Sequence, residues 1–453
     1  MLQYLMRLGQ CSRQYLNGKR EDNGYVAAKT AGGDNMQLIS SINTALWVFF
    51  IICYTYQMFY IAVPFIKKEK PHKAEKANRF AVLISARNES AVIRNLLESI
   101  KAQTYSAELI DVFVVADNCT DNTAEIAADC GVKKVYERFN DINVGKGYAL
   151  NYMLKSIDKE YGIESYDGYF VFDADNVLDP HYIEEMNKTF SDGYDILTSY
   201  RNSKNYGDSW ISAGYGLWFL RESKYLNYSR MLMNTSCAIS GTGFMFSKQI
   251  AKRLDGWKYY LLTEDIEFTV DHVINDYKIG FCKNAVLYDE QPSGFKQSVR
   301  QRMRWAKGYF QVFCNYGLKL IKGTFKGKDF SCYDMSMSIL PAVVFTVCTI
   351  AINGTALLAG LLAGVSVRPV VEALIGCVVS MYVMLFGIGM ITTATEWKNI
   401  YTTNKKKILY MFTFPVFMMT YIPITVAALF KKVEWKPIVH SKAKSLADIT
   451  NSR

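Results

Sequence analysis

Four long stretches of this chain carry no charged side chain: 39–66, 335–367, 373–395 and 408–430. Each exceeds the ~20 residues that cross ~30 Å of hydrocarbon at ~1.5 Å rise per residue. One such run alone reads equally well as a buried soluble helix. Four of them, three clustered after residue 334, predict an integral, multi-pass membrane protein. The expected organisation is a transmembrane helix at 39–66, a folded region at 78–330, a membrane region of about three hydrophobic segments at 335–430 and a basic tail at 431–453. The segment 1–35 is polar and lacks a clear period or a cleavable signal, and Met36 would make a natural start. It is expected to be disordered or to precede the true start.

The balance of 52 Lys and Arg against 42 Asp and Glu leaves a net charge of +10. Lysines bracket the apolar runs: Lys67, Lys68 and Lys70 follow the first, while Lys405 to Lys407 precede the last and Lys431 and Lys432 follow it. No basic stripe with interleaved stacking aromatics stands out, so membrane lipids are the expected surface partner and nucleic acid is not. The ten cysteines form no Cys-x-x-Cys pair, and none is spaced with the four histidines. A zinc site is therefore not expected, and a reducing compartment suits the pattern.

Between the runs, short β-rich apolar segments alternate with helical patterns, which predicts an α/β domain. Strands are expected at 80–85, 111–116, 169–172 and 195–199, with helices at 91–103 and 123–128. From Phe295 to Ile321 a helical pattern sets Arg and Lys opposite Trp305, Tyr309, Phe310 and Phe313, as an interfacial amphipathic helix or an ordinary surface helix would. Topology stays open. Three further crossings after the domain would put the basic tail outside, against the positive-inside bias. The last run contains Pro415 and Pro423 and either crosses, re-enters or lies in the interface.

In α/β sheets ligands gather beyond the carboxyl ends of the strands. Polar residues stand at three such exits: Arg87-Asn88-Glu89, Asp117-Asn118-Cys119-Thr120-Asp121 and Asp173-Ala174-Asp175. In extended chain, residues two apart point the same way, so Asp173 and Asp175 converge and call for a cation; hard oxygen ligands select Mg²⁺ or Mn²⁺. By itself Asp-x-Asp reads more often as a solvated turn. Glu89 and Asp117 suit hydrogen bonds to a base or ribose, and equally a helix cap; for Asp121 the cap is the better reading. Lys146, between Gly145 and Gly147, suits a phosphate or an exposed loop, and lacks full phosphate-loop spacing. Thr263-Glu264-Asp265 offers a general base in Asp265, and the same residues suit a capped helix start. Gln301-Arg302-Met303-Arg304-Trp305 offers arginine for a diphosphate and an indole face for a sugar, or else a membrane-surface belt.

In their fixed order, Asn88-Glu89, Asp117, Lys146, Asp173-Ala-Asp175, Ser240-Gly-Thr-Gly243, Thr263-Glu-Asp265 and Gln301-Arg-Met-Arg-Trp305 resemble the family 2 inverting glycosyltransferases. Within them the likeness is to the membrane synthases of cellulose, hyaluronan, chitin oligosaccharides and poly-N-acetylglucosamine. The resemblance implies a GT-A-type α/β domain, with a mixed, mostly parallel sheet and flanking helices, plus α-helical transmembrane segments. It implies a UDP-sugar donor held by Asn88, Glu89, Asp117, Lys146 and Asp173, with Mg²⁺ or Mn²⁺ on Asp173 and Asp175. Asp265 would be the base, and Glu264, Gln301, Arg302, Arg304 and Trp305 would line the acceptor and diphosphate site. The acceptor would be a saccharide or a lipid-linked hydroxyl, and the catalytic domain would lie in the cytosol at a bacterial plasma membrane. Processive synthesis of a β-linked polysaccharide is the first expectation. Larger synthases of this group carry more spans, so single-sugar transfer stands beside it, ahead of a non-enzymatic sensor or transporter.

Overall fold

The computed structural model describes residues 23–72, 75–326, 330–339, 341–362, 368–434, 440 and 442–452. The expectation of disorder before Met36 falls outside the described residues for 1–22, and from Asn23 the backbone is helical. In chain order the elements are α1 (Asn23–Ile66), β1 (Phe80–Ala86), α2 (Ile93–Lys101), β2 (Ile110–Asp117), α3 (Thr123–Asp129), β3 (Lys134–Arg138), α4 (Lys146–Tyr161), β4 (Gly168–Asp173) and β5 (Val177–Leu178). There follow α5 (Tyr182–Ser191), β6 (Ile196–Ser203), α6 (Trp210–Arg221), a π-helical turn (Glu222–Asn227), α7 (Tyr228–Leu232), β7 (Phe244–Ser247), α8 (Lys248–Leu254), α9 (Glu264–Ile274) and β8 (Ile279–Asp289). The rest is helical: α10 (Phe295–Lys326), α11 (Ser331–Ile339), α12 (Pro341–Leu362), α13 (Arg368–Thr395), α14 (Asn404–Met419), α15 (Tyr421–Phe430) and α16 (Leu446–Thr450).

Two units divide the chain. The smaller joins the residues before 52 with 345–378. Within it Asn43 and Asn353 exchange side-chain amide hydrogen bonds of 2.9 and 3.0 Å, the reciprocal pairing that satisfies polar groups in a hydrocarbon setting.

The larger unit, 52–344 with 379–453, holds an eight-stranded sheet of order β3-β2-β1-β4-β7-β6-β8-β5. The pairs β1–β2, β1–β4, β2–β3 and β6–β8 are parallel, and β4–β7, β6–β7 and β5–β8 antiparallel. β1 is buried on both faces because its side chains alternate between two cores. Phe80, Val82 and Ile84 meet Ile93, Leu96 and Leu97 of α2, while Ala81 and Leu83 meet Leu150, Met153 and Leu154 of α4. The strands expected from the apolar runs are present, each within a few residues of its expected ends.

Four helical stretches meet the length and hydropathy of a membrane crossing: Ser41–Ile66, Val344–Leu362, Val370–Thr395 and Asn404–Phe430. The first such stretch after the expected start at Met335 begins at Val344. Residues 331–339 form α11, which packs within the larger unit, where fully buried Asp334 takes two 2.8 Å bonds from Arg230 and 3.0 Å bonds from the hydroxyls of Tyr56 and Tyr60. The last run is broken at Thr420 between α14 and α15. α14 lies along α6, and Gly214 permits the approach: a Cβ there would come within 2.3 Å of the Phe417 ring. Its other face exposes Ile408, Leu409, Phe412 and Val416. Beyond α15 the tail runs back over the sheet: Lys442 pairs with Asp208, its N–H donates to Glu290, and Ile449 of α16 is buried with Val177 and Tyr288.

Candidate active site

The loop after β1 is fixed by its own polar groups. Asn88 takes a positive φ of 57°, which asparagine tolerates better than most residues, and its Oδ1 accepts from Thr120 N–H at 2.8 Å. Glu89 N–H donates to Thr123 Oγ1, and its carboxylate meets His440 Nδ1 at 2.9 and 3.0 Å. Burial pushes the Glu89 carboxyl up, His440 pulls it down, and Asp175 and Asp173 add to the rise, so all three acids share one field.

After β2, Asp117 is 4% exposed and paired with Arg138 at the end of β3. Burial raises the Asp117 carboxyl against the pull of Arg138 and Arg87. Asp121 accepts from Thr123 N–H and Oγ1 at 3.1 and 2.6 Å just ahead of α3, while Asn122 holds the cap position and makes no side-chain capping bond.

Asp173 ends β4, and its N–H is shared between Thr242 Oγ1 at 2.9 Å and Asn176 Oδ1 at 3.2 Å. Asp175, 5% exposed, accepts from Glu290 N–H at 2.8 Å. Burial opposes its charge, but His440, Lys204, the Glu290 N–H and Arg201 hold the carboxyl below its usual range. His440 is the converse. Burial works against the imidazolium, yet Asp175, Glu89 and Glu290 raise it to about 10. Both ring nitrogens are then donors, and the ring supplies charge.

Lys146 is not an exposed loop lysine. It opens α4 and its Nζ lies 2.5 Å from Asp173 Oδ1, 2.7 Å from Gly241 O and 3.9 Å from Glu264 Oε1. Burial disfavours the ammonium, but Asp173, Glu264 and Asp265 outweigh it and raise its pKa.

The loop Ser240-Gly241-Thr242-Gly243 ties the two halves. Gly241 donates its N–H to Asp265 Oδ2 at 2.6 Å while its carbonyl receives Lys146. Gly243 sits at φ 66°, and a Cβ there would strike Leu287 Cδ2 at 1.8 Å, so only glycine fits this close crossing. Asp265 lies in the first turn of α9. Thr263 holds the cap position, but its hydroxyl makes no capping bond. Burial raises the Asp265 carboxyl against Lys146, two backbone N–H groups and Arg304, and Glu264 is raised to about 7 by burial and by Asp265.

On α10, Arg304 donates to Leu262 O at 3.0 Å and acts on both Glu264 and Asp265. Trp305 packs edge-on against Tyr215 at 5.7 Å and Phe219 at 6.3 Å. Gln301 is partly buried on the same face. Arg302 departs from the expected site. It is fully buried, donates to Phe417 O at 3.1 Å and Thr420 Oγ1 at 2.7 Å, and lies between the rings of Phe417 and Tyr421. The reason is helical: Arg302 and Arg304, two residues apart, point roughly 200° from each other.

The cluster therefore brings together Glu89, Lys146, Asp173, Asp175, Glu264, Asp265 and Arg304, with Asp117 at the neighbouring strand end. Sequence reasoning missed four members. Arg201 bonds Ser240 O at 2.7 Å and pairs with Asp289, whose carboxyl is raised to about 6, first by burial and also by Asp175. Asp289 ends β8, so the strand-exit argument would have found it. Arg138 ends β3 in the same way. For His440 the sequence carries no signal. Among the described residues no preformed group of three metal-ligating side chains occurs. Asp175, held ionised and acceptor-only beside Asp173, nevertheless has the hard oxygen chemistry of a Mg²⁺ or Mn²⁺ ligand.

Comparison with known proteins agrees with this geometry. The sequence profile described as "Glycosyltransferase like family 2" matches residues 77–308. A probable glycosyltransferase of Bacillus subtilis, YdaM, is 26% identical over 54% of this chain and 58% of its own length. A beta-monoglucosyldiacylglycerol synthase of Synechocystis is 24% identical over 52% and 48%. The poly-beta-1,6-N-acetyl-D-glucosamine synthase of Staphylococcus epidermidis is 26% identical over 62% and 68%. The matched region thus spans about half of the first two relatives. Among solved structures, the mannosyltransferase PcManGT of Pyrobaculum calidifontis, in complex with GDP-Man and Mn²⁺, superposes with a TM-score of 0.53 at 16% identity, covering 86% of this chain and 99% of its own, a likeness of fold. With a GT-A sheet, acids at its strand exits and a profile match over half its length, this chain belongs to glycosyltransferase family 2.

Proposed function

We propose that this transferase moves a sugar from a UDP-sugar to an acceptor hydroxyl with inversion, at the cytosolic face of a plasma membrane. The observation that carries the reading is the Lys146–Gly241–Asp265 link, in which one glycine binds the lysine of the Asp173 end and the carboxylate of the α9 end. Asp173 and Asp175 would hold Mg²⁺ or Mn²⁺, which neutralises diphosphate charge when bound. Asp265 takes the proton of the acceptor hydroxyl. The oxygen attacks the anomeric carbon from the face opposite the diphosphate, and the C–O bond to the diphosphate breaks. Lys146 and Arg304 offset the negative charge that builds up. Glu89 and Asp117 orient the nucleoside end.

Elongation of a β-linked polysaccharide is the first reading. Transfer of a single sugar to a lipid carrier or small acceptor is the second, favoured by the seating of α14 on α6, which leaves fewer segments free to cross. That seating also supports a sidedness. With crossings at 344–362 and 370–395 and the 404–430 segment lying along the domain, the basic tail stays on the domain's side, in keeping with the positive-inside bias.

The test is direct. The full chain in detergent is given UDP-N-acetylglucosamine or UDP-glucose with Mg²⁺ or Mn²⁺, and products are sized. A ladder supports elongation, one addition supports single transfer, and no turnover with any nucleotide sugar ends the proposal.

A further inference from the structure

The C-terminal tail grips the sheet at several points. Ile449 of α16 is fully buried with Val177 and Tyr288, and Ser445 and Asp448 cap that helix reciprocally. Lys442 and Lys444 both reach Asp208, at 3.3 and 3.9 Å. Lys204 Nζ donates to Lys442 O and Lys444 Nζ to Lys204 O, each at 3.4 Å. Lysine pairs that remain open to solvent contribute little one by one, and burying an isoleucine side chain outweighs them. Ile449 is therefore the anchor of the tail.

From that anchor the tail reaches the site twice. Lys442 N–H donates to Glu290 Oε2 at 2.9 Å, and Glu290 N–H in turn donates to Asp175 Oδ2 at 2.8 Å. His440 Nδ1 meets both oxygens of Glu89, at 2.9 and 3.0 Å. Glu89 follows β1 and Glu290 follows β8, and β4, β7 and β6 lie between those strands, so no ladder sets one loop against the other. The tail does. A glutamate side chain left loose must be ordered when a ligand binds, and a contact already made removes that cost. One ring N–H does not exhaust a carboxylate, and Glu89 keeps 12% of its side-chain surface open, so it can still accept from a hydroxyl.

We propose that the C-terminal tail is a positioning strap for the donor: His440 holds the Glu89 carboxylate ready to accept from the nucleoside of the nucleotide sugar, and the docking of Ile449 holds His440. This rests on the transferase reading above. It adds a positioning residue, His440, that acts on donor binding through Glu89 and not on the reacting atoms.

The experiment uses the full chain in detergent and compares it with His440→Ala, Ile449→Asp and the double variant. UDP affinity is read by calorimetry with Mn²⁺, beside donor KM and kcat. His440→Ala is expected to weaken UDP about 10-fold and to raise donor KM to match, while kcat at saturating donor stays within about twofold. Ile449→Asp, placed away from the nucleotide, is expected to do the same. The double variant should be no worse than the poorer single one, because both changes remove one contact. Overturning results, with the transferase left intact, are an unchanged donor KM in either folded single variant, a loss confined to kcat, tighter UDP binding (the tail then competes with the donor) or additive losses in the double variant. A natural chain that binds no UDP and turns over no nucleotide sugar is the separate failure of the transferase reading and takes the strap with it.

Discussion

Lys146 Nζ rests 2.5 Å from Asp173 Oδ1 although the two residues belong to different elements, the start of α4 and the end of β4. The ammonium also sees Glu264 and Asp265, so one cation holds three carboxylates in proximity. Lys146→Met is expected to lower transfer by about 10²- to 10³-fold. Lys146→Arg should recover only part of this, because a planar fork cannot reach both Asp173 and Gly241 O from the same position. Initial rates with saturating donor check both.

Asp265→Asn keeps the shape and the Gly241 contact but removes the base. Transfer is expected to fall about 10²- to 10⁴-fold while UDP still binds. Calorimetry beside the rate assay separates the two effects, and a near-normal rate would reassign the base.

The Glu264 carboxyl, raised to about 7, gives a pH prediction with opposite signs for rate and stability. The ionised pair with Asp265 is the form that accepts a proton, so kcat/KM is expected to climb through the region of pH 7. Folding works the other way. A carboxyl whose pKa is higher folded than unfolded binds extra protons in the native state, so its stabilising contribution is complete below its unfolded value and is lost as pH rises through 7. Glu264→Gln should flatten both trends, read from a pH–rate profile and a pH series of melting temperatures.

Arg302 and Arg304 separate structure from chemistry within one helix. Arg302 anchors the α14–α15 break through Phe417 O and Thr420 Oγ1 at full burial. Arg302→Ala is expected to cost about 2 kcal/mol or more of stability and to loosen α14 toward protease. Arg304→Ala should leave the melting temperature nearly unchanged and lower the rate. If Arg302→Ala melts like the natural chain but loses activity, the two roles have been interchanged.

Much of this was legible in the chain. The β-rich runs marked β1, β2, β4 and β6, and reading the polar residues at their exits named Glu89, Asp117, Asp173 and Asp175 because a parallel sheet must deliver those positions to one edge. Asp289 obeys the same logic, but β8 was not recognised as a strand. The opposed faces of Arg302 and Arg304 follow from helix geometry and were readable too. His440 was not. It reaches Glu89 across 351 positions from a stretch without period, and only tertiary folding brings the two together.

The tail that docks on β5 and β8 is translated after every apolar run in the chain. Through His440 that tail also brings the imidazolium whose charge meets both Glu89 and Asp175, so the charge balance at the exits of β1 and β4 depends on a residue placed after every apolar run.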